Sequence, residues 1–352
     1  MSVKRTSLAG LPSCEIVMAA DLREKYRARQ IFDWITSGAS SFDEMTNLPL
    51  QLREDLKAGF SVYSSSVKES DSDDDNTVKI LIELNDGRLI ESVLLTDERN
   101  RRTACISSQA GCAMGCTFCR TGMMGLLRNL SSAEIVEQYL HLRRLYGDIS
   151  NVVYMGMGEP LANTDEVIKS LNFFTDPAGL NISARRITLS TCGMTKGIRV
   201  LAAEAPPVRL AVSLVSADPD IRTRLMPVTK TNSLDDLKAA LTDYQRSGGK
   251  RITLECAVIK DINDSVHDAA LIAQWSEGLS VIVNVIPWNP ASEIDFEEPE
   301  QNRVDAFCRE LEKRKIPITR RYRRGRGLNA ACGQLATDNV SASLIDPTQE
   351  QP

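Results

Sequence analysis

At 352 residues, 42% of them hydrophobic and 25% charged, the chain is long enough to bury a large core as one main domain with an appendage. No stretch approaches the ~20 apolar residues of a membrane span, and Met1-Ser2-Val3-Lys4-Arg5 leads into no apolar run, so a cytoplasmic protein with no membrane partner is expected. Net charge is −5, which excludes a uniformly basic nucleic-acid binder, yet five acids crowd residues 69–75 while residues 313–326 hold eight basic side chains and no acid. A local basic face around Arg320, Arg321, Arg323, Arg324 and Arg326 therefore remains compatible with phosphate contacts.

Residues 20–60 show helical periodicity, with Tyr26, Ile31, Phe32, Trp34 and Ile35 on one apolar face and Asn47-Leu48-Pro49 opening a further helix. This predicts a small helical domain over residues 1–67. The acidic stretch Lys68 to Asn76 reads as a surface linker loop. Thr77 to Leu84 and Arg88 to Leu95 alternate apolar and polar residues around Asn85-Asp86-Gly87, which predicts a β-hairpin within residues 68–101. Its second strand carries Glu91.

Beyond the hairpin, apolar runs near residues 102–106, 149–154, 185–190, 207–213, 251–258 and 280–286 alternate with helical segments. Six βα units are too few to close an eight-stranded barrel, so an α/β fold with a curved partial barrel is expected over residues 102–335, with chemistry at the carboxyl ends of its strands. Residues 336–352 read as a disordered tail.

The most informative stretch is Cys112-Ala113-Met114-Gly115-Cys116-Thr117-Phe118-Cys119. Three thiols this close, after Gly111 and around Gly115, must wrap one centre as a loop, and thiolates bind iron or zinc. Structural zinc asks for four closed ligands, whereas the chain's two histidines, His141 and His267, lie far off in sequence. A cubane iron-sulfur cluster held by three thiolates leaves one iron open for a small ligand. A zinc knuckle, or three cysteines brought together by chance, is the competing reading. Nine cysteines in so long a chain suit a reducing compartment, where thiols serve metals or catalysis.

The spacing, with Phe118 before the last cysteine, resembles the radical S-adenosylmethionine signature. The resemblance implies a 4Fe–4S cluster on Cys112, Cys116 and Cys119, with S-adenosylmethionine chelating the open iron and being cleaved to a 5′-deoxyadenosyl radical. Loops at the strand ends hold small polar residues suited to such a ligand: Gly158 and Glu159 in Met155-Gly156-Met157-Gly158-Glu159-Pro160, Ser190, Ser213-Leu214-Val215, and Asn289 in Ile286-Pro287-Trp288-Asn289-Pro290.

Two further thiols narrow the resemblance. Cys105 lies in Cys105-Ile106-Ser107-Ser108-Gln109-Ala110-Gly111-Cys112, and Cys332 lies in Asn329-Ala330-Ala331-Cys332-Gly333-Gln334-Leu335. With Tyr26-Arg27-Ala28-Arg29-Gln30-Ile31-Phe32-Asp33-Trp34 near the N-terminus, the chain resembles the RlmN/Cfr family from about Leu8 to Leu335. The resemblance implies that Cys332 accepts a methyl group, that Cys105 resolves a covalent protein–RNA adduct, and that Glu91 accepts a proton. It also implies 23S rRNA and tRNA as partners, flavodoxin or ferredoxin as electron donor, and a monomer. Family members methylate C2 or C8 of adenosine; the closer likeness is to the C2 branch, the residues alone leave both carbons open, and a radical S-adenosylmethionine enzyme with a non-RNA substrate is the other alternative.

Where the family has Ser-Leu-His-Ala, this chain has Ser213-Leu214-Val215-Ser216, so any imidazole contact is absent. Cys14, Cys192, Cys256 and Cys308 read as ordinary small residues.

Overall fold

The computed structural model describes residues 5–248, 251–291, 293–320, 328 and 330–337. Short strands β1 (Thr6–Ser7) and β2 (Phe60–Ser61) pair in parallel around three helices, α1 (Ser13–Ala19), α2 (Lys25–Ser37) and α3 (Leu50–Gly59). Helix α2 buries Ala28, Ile31, Phe32 and Ile35, one stripe at 3.6-residue spacing, and ends at Gly38 in the left-handed conformation (φ 104°). The expected face is corrected at its first member, because Tyr26 is 55% exposed. It lies two residues before Ala28 and is therefore turned by about 200° from the stripe.

A ten-stranded sheet follows. Strands β3 (Ser66–Ser72), β4 (Val78–Glu83), β5 (Leu89–Thr96) and β6 (Arg102–Cys105) are mutually antiparallel. The hairpin turn closes as expected, with Leu84 N–H donating to Arg88 O and Gly87 N–H to Leu84 O. The linker loop is not observed for residues 68–72. They form the edge strand β3, whose charged side chains point to water and whose Lys68 pairs with Glu83 at 2.8 Å. Charge is tolerated there because an edge strand has one open side. Asp73 then accepts the Asp75 and Thr77 N–H groups and turns the chain back.

After β6, a two-stranded ribbon of β7 (Gln109–Cys112) and β8 (Gly125–Asn129) brackets the short helix α4 (Arg120–Met123). Helices and strands then alternate: α5 (Ser132–Tyr146), β9 (Asn151–Tyr154), α6 (Thr164–Thr175), β10 (Ile187–Thr191), α7 (Thr195–Glu204), β11 (Arg209–Ser213), α8 (Pro219–Leu225), α9 (Leu234–Gly248), β12 (Ile252–Val258), α10 (Val266–Trp275), β13 (Val281–Pro287), α11 (Gln301–Lys313) and β14 (Ile318–Arg320). The strand order β14-β13-β12-β11-β10-β9-β6-β5-β4-β3 makes β6 and β9 to β14 a parallel run. All six expected parallel strands are present, and β14 adds a seventh. Among the described residues the two ends of the sheet do not pair, as in an open partial barrel.

The N-terminal helices share one apolar core with the barrel, Phe32 lying 5.4 Å from Phe173 of α6. A polar lock supplements it. The buried carboxylate of Glu137 on α5 accepts bonds from the Ser7 hydroxyl (2.8 Å) and from the N–H and hydroxyl groups of Ser64 and Ser65. One turn on, His141 meets the Ser65 hydroxyl at 3.1 Å and stacks on Tyr63. Burial, followed by the Arg144 charge, holds His141 down at about 4. A solvated imidazole titrates near ~6.5, so between those values the unfolded chain binds the extra proton and stability falls as pH drops, levelling off below 4. The loss is at most ~3 kcal/mol by that linkage. Urea midpoints measured from pH 7 to 4 should therefore decline less in His141→Phe; equal slopes would contradict the assignment.

Candidate active site

The three cysteines stand where β7 ends and α4 begins. Gly111 permits the ribbon to close on itself: its φ is +76°, and a Cβ there would lie 2.0 Å from Gly125 O. Cys112 ends β7, and Cys119 is the N-cap of α4, donating its N–H to Cys116 O at 3.2 Å. Thr117 N–H anchors the loop to Leu225 O at 3.0 Å. All three thiols face one cavity at the carboxyl ends of the parallel strands.

Burial pushes Cys112 up to about 11 and raises Cys116 and Cys119 as well, and the neighbouring thiols push Cys112 and Cys116 the same way. Thiols crowded like this give up their protons to a metal cation, which is the donor set an iron-sulfur cluster requires. A lone zinc would draw its ligands to within ~2.3 Å of one point. Among the described residues, no three His, Cys, Asp or Glu side chains are gathered as a single ion would need. Three thiols facing one cavity are the donor set of a cluster with one iron left open.

The cavity floor comes from the strand ends. Gly158, Glu159, Ser190, Ser213, Val215 and Asn289 all line it. Gly158 is forced: its φ is +98°, and a Cβ would meet the Gln109 side chain at 2.5 Å. Glu159 is buried, with one carboxylate oxygen on Leu161 N–H (2.9 Å) and the other on Cys192 N–H (2.7 Å). Its carboxylate thus braces the loop after β9 against the end of β10. The Asn289 amide oxygen is buried and accepts no hydrogen bond among the described residues, an acceptor suited to a ligand amino group.

Leu214 is buried but does not line the cavity; its N–H bonds to Val212 O and Glu255 O. Val215 holds φ +60°, rare for a β-branched residue, and the Asn263 amide donates to its carbonyl at 2.8 Å.

Cys332 reaches the same cavity on a strap, residues 330–337, that crosses the cluster loop. Arg120 N–H donates to Gly333 O (2.9 Å), its guanidinium to Gln334 O (3.1 Å), and the Thr121 hydroxyl to Leu335 O (2.6 Å). The Gln334 amide reaches across to Pro290 O at 2.8 Å. The strap therefore passes beside Cys119: a Cβ on Gly333, next to Cys332, would lie 3.9 Å from Cys119 Cα.

Glu91 and Cys105 do not line this cavity. Glu91 is buried behind the strap, accepting the Ala336 N–H at 2.9 Å and the Lys79 ammonium at 2.8 Å. Cys105 is buried at the end of β6, opposite Val93 on β5 and Val153 on β9. Ala336 and Thr337, placed in the expected tail, are buried against Glu91; residues 338–352 lie outside the described residues.

Of the basic stretch, Arg320 pairs with Asp305 at 2.5 Å and Arg314 with Glu310 at 2.6 Å, so part of that charge is neutralised by α11. Arg321, Arg323, Arg324 and Arg326 lie outside the described residues.

Sequence reasoning missed Cys192 and Trp288, which also line the cavity. Trp288 donates its ring N–H to Phe118 O at 3.1 Å and so ties the β13 loop to the cluster loop.

An open parallel sheet carrying a three-cysteine loop at its strand ends defines a radical S-adenosylmethionine protein. A family model described as the Radical SAM superfamily matches residues 106–271, and one for the ribosomal RNA large subunit methyltransferase N-terminal domain matches residues 18–62. The chain is 48% identical over 339 residues to a Treponema denticola protein named "Probable dual-specificity RNA methyltransferase RlmN", covering 96% of this chain and 98% of that one. It is 40% identical to the "Dual-specificity RNA methyltransferase RlmN" of Pelobacter propionicus, covering 92% of this chain and 93% of that one. A solved radical SAM methyltransferase from Sphaerobacter thermophilus superposes with a TM-score of 0.90 at 39% identity, over 94% of this chain and 99% of that one.

The chain belongs to the RlmN family of radical S-adenosylmethionine RNA methyltransferases, whose cofactors are a 4Fe–4S cluster and S-adenosylmethionine. No helix among the described residues is long and apolar enough to cross a membrane.

Proposed function

We propose that this protein methylates C2 of adenosine in the peptidyl-transferase centre of 23S rRNA and in the anticodon loop of tRNA, carrying the methyl on Cys332. The observation that carries this reading is the strap, which brings Cys332 into the cavity lined by Cys112, Cys116 and Cys119. Cys112, Cys116 and Cys119 would hold the cluster, which with S-adenosylmethionine supplies the radical that takes one hydrogen from the methyl on Cys332.

Gly158, Glu159, Ser190, Ser213, Val215 and Asn289 would bind S-adenosylmethionine. Val215, with no imidazole, would contribute main-chain groups, and Leu214 would act by packing behind them. Cys332 is suited to its part because a thiolate is nucleophilic enough to take a methyl and polarizable enough to stabilise a carbon radical next to sulfur. Glu91 would accept the adenine proton once the strap moves off its carboxylate. The adduct's unpaired electron would return to the oxidised cluster, and the Cys105 thiolate would then attack Cys332 sulfur, breaking its bond to the transferred carbon, which takes a proton to become the RNA methyl and leaves a Cys105–Cys332 disulfide for an external thiol to reduce.

Flavodoxin or ferredoxin, small one-electron carriers, would reduce the cluster, and the enzyme would act as a cytoplasmic monomer. Nucleosides from ribosomal RNA and tRNA of cells with and without the gene test the reading. Loss of 2-methyladenosine from both RNAs in the deletion strain is expected. Loss of 8-methyladenosine instead would move the target to C8, and no change in either would refute the assignment.

A further inference from the structure

Arg222 on α8 is fully buried. Its guanidinium donates to Leu214 O (3.1 Å), the Thr229 hydroxyl (2.6 Å), Cys192 O (2.8 Å) and Ser213 O (3.4 Å). Every partner is a neutral oxygen. Among the described residues, no carboxylate comes within 4 Å of it, whereas Arg120, Arg128, Arg303 and Arg320 each pair with an acid. A dry cation with no counter-charge is costly, so its retention calls for an anion that arrives later.

The position of Arg222 says which anion. Two of its partners, Cys192 and Ser213, line the cavity that the three cluster thiols face. Helix α8, which carries it, ends at Leu225, whose carbonyl holds Thr117 in the cluster loop. A 4Fe–4S centre on three thiolates is anionic and gains a further negative charge when an external one-electron donor reduces it.

We propose that Arg222 is the built-in counter-charge of the thiolate-bound cluster, a positioning residue that raises its reduction potential and couples the cluster loop to the ends of β10 and β11. The inference rests on the cluster assignment above. Iron content keeps the two apart: wild-type protein without about four irons per chain by cubane stoichiometry sinks the assignment, while iron-replete protein tests Arg222 alone.

The experiment is an EPR-monitored redox titration of the full-length reconstituted enzyme, as wild type, Arg222→Lys and Arg222→Gln. Both substitutions lose most of the guanidinium hydrogen bonds, but only glutamine loses the charge. The Gln variant should be harder to reduce by a factor of about ten, ~59 mV for one electron, while the Lys variant stays near wild type. A Gln variant that folds but holds no iron, beside an iron-replete Lys variant, also supports the counter-charge. Lys and Gln variants that behave alike, whether in potential, iron content or failure to fold, would show that Arg222 is only a structural tie.

Discussion

Cys332→Ala protein is expected to cleave S-adenosylmethionine while leaving RNA unmethylated, a loss of roughly 10⁴-fold or more, the scale seen when a nucleophile is deleted. The strap is anchored through the backbone carbonyls of residues 333–335 and the Gln334 amide, not through the thiol, so alanine should leave it in place. The cluster loop is built from other residues and should keep its iron. Deoxyadenosine release measured beside methyl incorporation separates the two effects. Methylated RNA from the alanine protein would remove Cys332 from the chemistry.

Cys105→Ala should fail at a later point and in a visible way. Cys332 would still take a methyl and add to adenine, but nothing would release the product. Protein covalently joined to RNA should then accumulate, as a slow band in a denaturing gel that ribonuclease removes. The double variant should show no band, because the adduct needs Cys332 first. In the structure, Cys105 sits at the end of β6 and does not line the cavity that holds Cys332. Normal turnover by Cys105→Ala would overturn its role as the resolving thiol.

The sequence made the barrel legible because parallel strands buried on both faces are apolar runs, and the six from residues 102–106 to 280–286 all appear. β14 escaped notice: Ile318–Arg320 is three residues long and lies inside a basic run. β3 was read as loop because Glu69 and Asp71 within it run into three more acids at residues 73–75, and its place at the sheet edge is what lets such charged side chains stay in water. Most of the site was readable, since three cysteines and a Gly-rich loop are local patterns.

Arg222, Cys192 and the anchoring of the strap were not readable in that way. Their meaning depends on contacts such as Arg222 to Cys192, 30 positions apart, or Thr121 to Leu335, 214 apart. Glu91 was picked out by resemblance, but its hold on Ala336 appears only when the strap is seen to lie across the hairpin.

The central claim is that the methyl group passes through Cys332 and loses one hydrogen there before reaching adenine. Reconstituted enzyme supplied with S-adenosylmethionine bearing a trideuterated methyl should therefore give methyladenosine that retains two deuterium atoms, with the third recovered in 5′-deoxyadenosine. Methyladenosine carrying all three would mean direct transfer of an intact methyl group and would contradict the account.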